Sequence, residues 1–226
     1  MISRIITLLL LVLLVNPSFS QDRKMYTTTS GELIFSFADI AINGADESSV
    51  MRFSPTFNVQ NWVNIDKSDK FGFFTGFSIR NVGVIFDDPS QPGVRYKARS
   101  YNFGIPIGFK IGNLSDKFLF AGYELELPFN YKEKVFIDES KEEKDVYWFS
   151  NRVNTFNHSV MVGVQLPYGA TIKFKYYLTN FFNKDFKASD GQGGTFKPYE
   201  DVDVNIFYFS LNFNLLRNTD FYYNEK

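Results

Sequence analysis

Alternation of apolar and polar residues recurs along this chain and constrains its fold more than any other feature. In the stretch from Leu119 to Tyr131, odd positions are mostly apolar, while Glu124, Glu126 and Asn130 occupy even positions. Successive strand residues point to opposite faces, so this pattern predicts a strand with one apolar and one polar face. Eight such stretches occur, at about residues 31–41, 50–65, 70–86, 94–112, 117–137, 146–166, 170–186 and 202–216. The chain is therefore predicted to be all-β.

The connections between the stretches alternate in character. Tight turns are predicted at 66–69, 112–116 and 167–169, and longer polar loops near 43–49, 87–93, 138–145 and 188–201. Short turns at one end of a sheet and longer loops at the other are typical of transmembrane barrels. We predict an eight-stranded, antiparallel, up-and-down transmembrane β-barrel, with both termini at the short-turn end.

The direction of the apolar face separates a membrane barrel from a soluble one. The chain has 27 Phe and 13 Tyr, and rings such as Phe103, Phe174 and Phe209 lie on the apolar face. Eight strands enclose an interior just wide enough for ordinary side chains, which rings from every strand would overfill. We therefore expect the apolar face to contact lipid and the polar face to line the lumen. Pro106 and Pro128 fall on the polar face, where bulges are expected because proline cannot donate to a ladder.

The first twenty residues have the layout of a secretory signal peptide. Arg4 precedes an apolar run from Ile5 to Val15, and small residues precede a predicted cleavage after Ser20. The expected organisation is a signal peptide at 1–20 and an outer-membrane β-barrel domain at 21–226. The mature chain has 23 cationic and 25 acidic side chains after loss of Arg4, a net charge of −2. This balance argues against a nucleic-acid partner.

Three segments carry a family resemblance: SYNFGIPIGFKIG, FAGYELELPFNY and GVQLPYGATIKFKYYLTNFF. They resemble the small outer-membrane β-barrel proteins of Gram-negative bacteria, the group described as porin-like or OmpX-like, over residues 30–216. The resemblance implies an integral protein of the cell outer membrane. Its expected partners are outer-membrane lipid and, through its loops or wall, another membrane protein.

Charged residues on the polar face form the candidate site. The predicted lumen network comprises Arg80, Lys110, Glu124, Glu126, Lys173 and Lys175. The glutamates and the pair Lys173 and Lys175 are expected at comparable depth, with Arg80 higher. Unpaired charges in a narrow lumen are costly, so we expect Glu–Lys and Glu–Arg pairs across the interior. A lumen plugged in this way suits a structural or interaction role, and a narrow pore is the alternative.

Two further functions stay open at this stage. One is a soluble, lipocalin-like carrier of an apolar ligand. The other is a lipid A-modifying hydrolase in the barrel wall that uses His158 and Ser159. Adjacent strand residues face opposite sides, so this pair is not expected within hydrogen-bonding reach, and no enzyme is predicted. The sequence has no cysteine and no spacing typical of a metal or cofactor site, including in the Gly-rich segment 188–201.

Overall fold

The computed structural model describes residues 23–89, 91–138 and 140–223. For residues 23 and 217–223 it describes the backbone alone. The predicted signal peptide lies outside the described residues. The strands are β1 (Arg23–Ile42), β2 (Ala45–Glu47), β3 (Ser49–Val50), β4 (Arg52–Ser54), β5 (Val59–Asp66), β6 (Phe71–Asp87), β7 (Val94–Gly112), β8 (Phe118–Ile137), β9 (Ser140–Trp148), β10 (Asn157–Gln165), β11 (Ala170–Tyr177), β12 (Ala188–Ser189), β13 (Thr195–Phe196) and β14 (Val202–Tyr223). A short 3₁₀ turn spans Pro167–Gly169. In the described part of the chain, no helix has the length and apolarity needed to cross a membrane.

Eight of these strands close into a barrel, which confirms the predicted fold. The ring runs β1, β5, β6, β7, β8, β10, β11 and β14, and β14 pairs with β1 from Ile42↔Val202 to Arg23↔Tyr223. Every neighbouring pair in the ring is antiparallel, and consecutive wall strands are neighbours. The tight turns after β5, β7 and β10 lie at one end. The longer connections, with the short strands β2, β3, β4, β9, β12 and β13, lie at the other, here called the loop end.

Several predicted boundaries are wrong. The sixth stretch, 146–166, is two strands, because β9 pairs with the upper part of β8 while β10 pairs with its lower part. The predicted loop at 138–145 is therefore largely strand. The first wall strand begins at Arg23 rather than near residue 31, and β11 ends at Tyr177. The second begins only at Val59, because Pro55 and the positive φ of Phe57 interrupt the extended chain before it.

A bulge in β8 inverts its side-chain alternation. Tyr101 pairs with Asn130 and Asn102 pairs with Pro128, so Phe129 has no partner on β7. The bulge expected at Pro128 is thus confirmed, and no register shift occurs at Pro106. Above the bulge, odd residues of β8 face inward. Tyr131, placed by the sequence pattern on the apolar outer face, is instead 0% exposed on the inner side.

The barrel wall carries apolar side chains on its outside, as the sequence predicts. Phe103, Ile107 and Phe209 are between 40% and 63% exposed on the outer surface. Ser100 and Asn102, which alternate with the outward residues of β7, are buried. A soluble barrel would have the reverse arrangement. Closed β-barrels satisfy all backbone hydrogen bonds within the wall and can therefore span a bilayer. The fold is that of a transmembrane barrel.

Candidate functional site

The lumen is filled in layers, the lowest of which is apolar and lies at the short-turn end. Its buried members are Trp62, Phe74, Leu114, Phe118, Phe120 and Met161. Trp62 stacks on Phe74 with ring centroids 4.1 Å apart and meets Phe120 edge-on at 5.2 Å. Gly108 and Gly163 line this layer, and a Cβ at either would collide with the ring of Phe74 or Phe120. These glycines let large rings lie flat inside the barrel.

The middle layer is an ion-pair network centred on Arg80. Its guanidinium contacts Glu124 of β8 directly and donates from Nε to Glu32 Oε2 of β1 at 3.0 Å. A further bond runs from Nη2 to the amide oxygen of Gln60 at 2.9 Å. Arg80 thus lies level with the glutamates, whereas the sequence placed it higher. One side chain joins strands from opposite sides of the lumen.

Two lysines of β11 complete the network. Lys175 Nζ lies 2.6 Å from Glu124 Oε2 and also contacts Glu126, and Lys173 Nζ lies 2.9 Å from Glu32 Oε1. β10, between β8 and β11, presents the small Ser159 here, which leaves room for these longer side chains. Glu126 also accepts hydrogen bonds from Asn102 at 2.7 Å and from the Tyr177 hydroxyl at 2.8 Å.

The network is electrically balanced. Its carboxylates are Glu32, Glu124 and Glu126, and its cations are Arg80, Lys173 and Lys175, all with side chains 0% exposed. Lys110 lies outside this group, nearer the short-turn end. Its ammonium pairs with Asp66 at 2.6 Å and donates to Asn64 Oδ1 at 3.0 Å. Opposite charges here lie within ion-pair distance, which offsets the cost of removing them from water.

A second apolar layer lies above the network. It includes Ile34, Val82, Ala98, Tyr131, Val204 and Ile206 from the wall, together with Phe181 and Phe182 from the connection after β11. Phe182 stacks on Tyr199 at 4.4 Å, and an isolated bridge joins it to Val153. The connections at the loop end therefore fold back over the barrel mouth.

Sequence reasoning missed several residues of these layers. Glu32 was not included in the predicted network, and Gln60 was not considered as a partner of Arg80. The inward rings of Trp62 and Phe74 were missed because each lies among small polar residues of the same parity. Nearby inward glycines, such as Gly108, are the signal that could have indicated them, since space left by glycine admits a ring.

His158 and Ser159 lie on opposite sides of the wall. The His158 ring contacts the Tyr123 hydroxyl on the outer surface. Ser159 is 0% exposed on the lumen side, and its hydroxyl donates to the backbone oxygen of Glu124 at 3.0 Å. A serine nucleophile needs its base within hydrogen-bonding reach. These two residues do not form that arrangement.

An acidic vestibule of about 610 Å³ opens at the loop end. Its lining carboxylates are Asp88, Glu133, Glu142, Glu143, Asp145, Glu200 and Asp201, against the cations Arg152 and Lys197. The Glu133 carboxylate accepts hydrogen bonds from the hydroxyls of Tyr131 at 2.8 Å and Tyr199 at 3.3 Å. Burial, and then the negative charge of Glu133, raise the pKa of Tyr199 above its ordinary value.

Comparison with known proteins finds similarity in fold alone. No protein-family model matches the chain. No curated protein matches it either. Solved structures similar to it include Ail, the attachment invasion locus protein of Yersinia pestis, in complex with sucrose octasulfate, at TM-score 0.40 and 8% identity over 85% of this chain and 100% of that one.

Two other similar structures are Neisserial surface protein A and the outer membrane protein OprG from Pseudomonas aeruginosa. The first has TM-score 0.36 and 11% identity over 83% of this chain and 94% of that one. The second has TM-score 0.32 and 11% identity over 86% of this chain and 97% of that one. The fold assigned to this chain follows from its own strand pairing.

Proposed function

We propose that this protein is an outer-membrane β-barrel that does not conduct solutes and has a structural or interaction role, exerted through its loop end or outer wall. The observation that carries the proposal is the burial of the lumen charges. The side chains of Arg80, Glu124 and Lys175 are 0% exposed, although charged groups lining a water-filled path would be accessible to solvent. The buried apolar layers above and below the network support the same proposal.

The proposal predicts that the protein has no channel conductance. Mature protein folded in detergent and inserted into planar bilayers is expected to show no steady conductance above the bare membrane. Insertion is verified by protease protection of the wall in the same preparation, and an open porin is the positive control. Steady, uniform current steps from the inserted protein would overturn the closed lumen and favour the narrow pore.

A soluble carrier is less well supported than a membrane barrel. A lipocalin-like carrier needs an apolar cavity inside the barrel and a polar exterior. Here the central lumen contains an ion-pair network, and the exterior presents residues such as Phe103 and Phe209. Retention in carbonate-washed membranes, with release only by detergent, is the result expected for the membrane barrel.

The proposal includes no enzymatic activity, and His158 provides its test. The separation of His158 from Ser159 by the wall supports this part of the proposal. The variant His158→Ala is expected to leave the lipid A profile of the producing cell unchanged, as measured by mass spectrometry of extracted lipid. Loss of a lipid A modification that wild-type protein restores would instead support a hydrolase.

A further inference from the structure

The outer surface of the loop end has a concentration of cations. The basic patch comprises Arg52 of β4, Lys97 and Arg99 of β7, Lys132 and Lys134 of β8, and Lys144 of β9. The bulge at Phe129 turns Lys132 and Lys134 to the same outer side as Lys97 and Arg99. The β8 and β9 members therefore face away from the vestibule.

Strand register brings these like charges directly opposite one another. Lys97 pairs with Lys134, and Lys134 pairs with Lys144, so three lysines occupy one row across three strands. Arg99 pairs with Lys132 one row lower. Like charges directly opposite in a sheet destabilise it. A bound anion would remove that repulsion.

The carboxylate next to this surface, Asp87, already pairs with Arg95 at 2.6 Å. No ion pair among the described residues involves the basic patch. Arg99 lies over the ring of Tyr101 at 5.4 Å, and Lys97 over that of Phe136 at 4.2 Å. Burial and then the charge of Arg99 lower the pKa of both Lys132 and Lys134. The acidic residues of the same hairpin line the vestibule instead.

The level of the patch relative to the membrane is fixed by a row of rings. Phe57, Tyr101, Phe129 and Trp148 follow one another around the wall, with successive ring centroids 5.9, 6.3 and 6.1 Å apart. Such aromatic girdles mark the boundary between hydrocarbon and headgroups. Arg99 is two residues above Tyr101 and Lys97 is four, roughly 7 and 13 Å along the strand at about 3.3 Å per residue. The cations therefore lie at headgroup level.

A cleft of about 120 Å³ is lined by Arg52, Lys97, Arg99, Lys132 and Lys134, together with Ile85 and Ala98. We propose that the basic patch binds the phosphate groups of the outer-leaflet lipid that surrounds the barrel. This inference rests on the proposed outer-membrane function, which puts the loop end at the outer leaflet. Multiple converging cations are the arrangement that recognises phosphate-bearing headgroups.

The test compares two variants that each lose two positive charges. Arg99→Gln with Lys134→Gln removes charge from the patch, and Lys70→Gln with Lys117→Gln removes it from the short-turn end. Native mass spectrometry of the mature protein in detergent measures binding of bisphosphorylated lipid A and of lipid A stripped of both phosphates. Each cation near an anionic headgroup contributes about a fivefold gain in affinity, so the patch variant should lose roughly 25-fold. The control variant should bind as wild type does.

Three results would overturn the inference: equal affinity of the two variants, equal binding of phosphate-free lipid by wild type, or stronger patch-dependent binding of dextran sulfate than of lipid A. The last result would assign the patch to a soluble polyanion. Both variants are first checked for heat-modifiable migration and for insertion into the outer membrane. Failure of wild type to insert would refute the proposed function, whereas normal insertion without phosphate dependence would refute only this inference.

Discussion

Lys175 and Lys184 make ion pairs of equal length in opposite surroundings. Lys175 lies 2.6 Å from Glu124 with both side chains 0% exposed, and Lys184 lies 2.6 Å from Asp203 with the side chains 41% and 55% exposed. Distance alone therefore does not give the contribution of either pair. Removing one partner of a buried pair leaves the other charge uncompensated in a medium that cannot solvate it.

This contrast gives a residue-level prediction. Lys175→Met should lower the free energy of unfolding by about 3–5 kcal/mol, because the balanced network is left with one buried negative charge that no cation compensates. Lys184→Met, the matched control, should cost about 1 kcal/mol or less, because water solvates the exposed Asp203. Urea titrations of the two variants in the same lipid vesicles measure both values. Equal losses would contradict the burial assigned to the network.

Much of this residue-level arrangement could be predicted from parity. Alternation puts Glu124, Glu126, Lys173 and Lys175 on one face, and the cost of unpaired charge suggests that they meet. The partners of Arg80 could not be predicted, because the stagger between neighbouring strands sets relative depth and no local pattern encodes it. A shift of two residues between β6 and β8 would preserve every face while changing every contact.

At the scale of the strand, the exposed fraction of a side chain does not by itself distinguish a wall position from a loop position. Phe209 in β14 is 51% exposed on the wall, and Phe196 in the short strand β13 is 53% exposed at the loop end. The two rings have nearly the same exposed fraction. In the proposed outer-membrane location they differ in their surroundings, which are hydrocarbon for Phe209 and water for Phe196.

Substitution by lysine should separate these two positions. Phe209→Lys is expected to destabilise the inserted barrel by about 2–4 kcal/mol, the cost of a cation near the bilayer midplane. Phe196→Lys should change stability by less than about 0.5 kcal/mol, as surface substitutions usually do. The readout is the fraction of protein that migrates as folded barrel after insertion into vesicles. Equal fractions for the two variants would argue against a lipid-facing wall.

Strand identity was easier to predict than strand extent. Periodicity located all eight wall strands, but the stretch at 146–166 contains a break between Trp148 and Asn157. The sequence conceals this break because apolar residues, including Val153 and Phe156, also occur within it. Val153 is in fact buried in the upper apolar layer. An apolar residue predicts burial, which either a strand or a folded loop can provide.

In the whole molecule, the proposed closure of the lumen does not depend on a single layer. The lower apolar layer, the ion-pair network and the upper apolar layer lie in succession along the axis. The sequence predicted only the charged layer. The apolar ones depend on rings contributed by several distant strands and by the folded connections, so they emerge only when the barrel closes.

This redundancy predicts stability loss without pore formation. The double variant Trp62→Ala, Phe74→Ala removes the stacked pair of the lower layer, and each such truncation typically costs about 3–5 kcal/mol. Bilayer recordings of the variant should still show no steady conductance, because the network and the upper layer remain. Channel activity in this variant would show that the lower layer alone closes the lumen.

The unpaired Phe129 limits how the hairpin formed by β8 and β9 can change in evolution. Deleting or adding one amino acid there would exchange the two sides of the hairpin formed by β8 and β9. Carboxylates now facing the mouth would confront the bilayer surface, and the lysines would crowd into the mouth. A change in segment length is tolerated in most surface connections, but here it would exchange the acidic and basic faces of the hairpin. Related sequences that retain this hairpin should therefore also retain its number of residues.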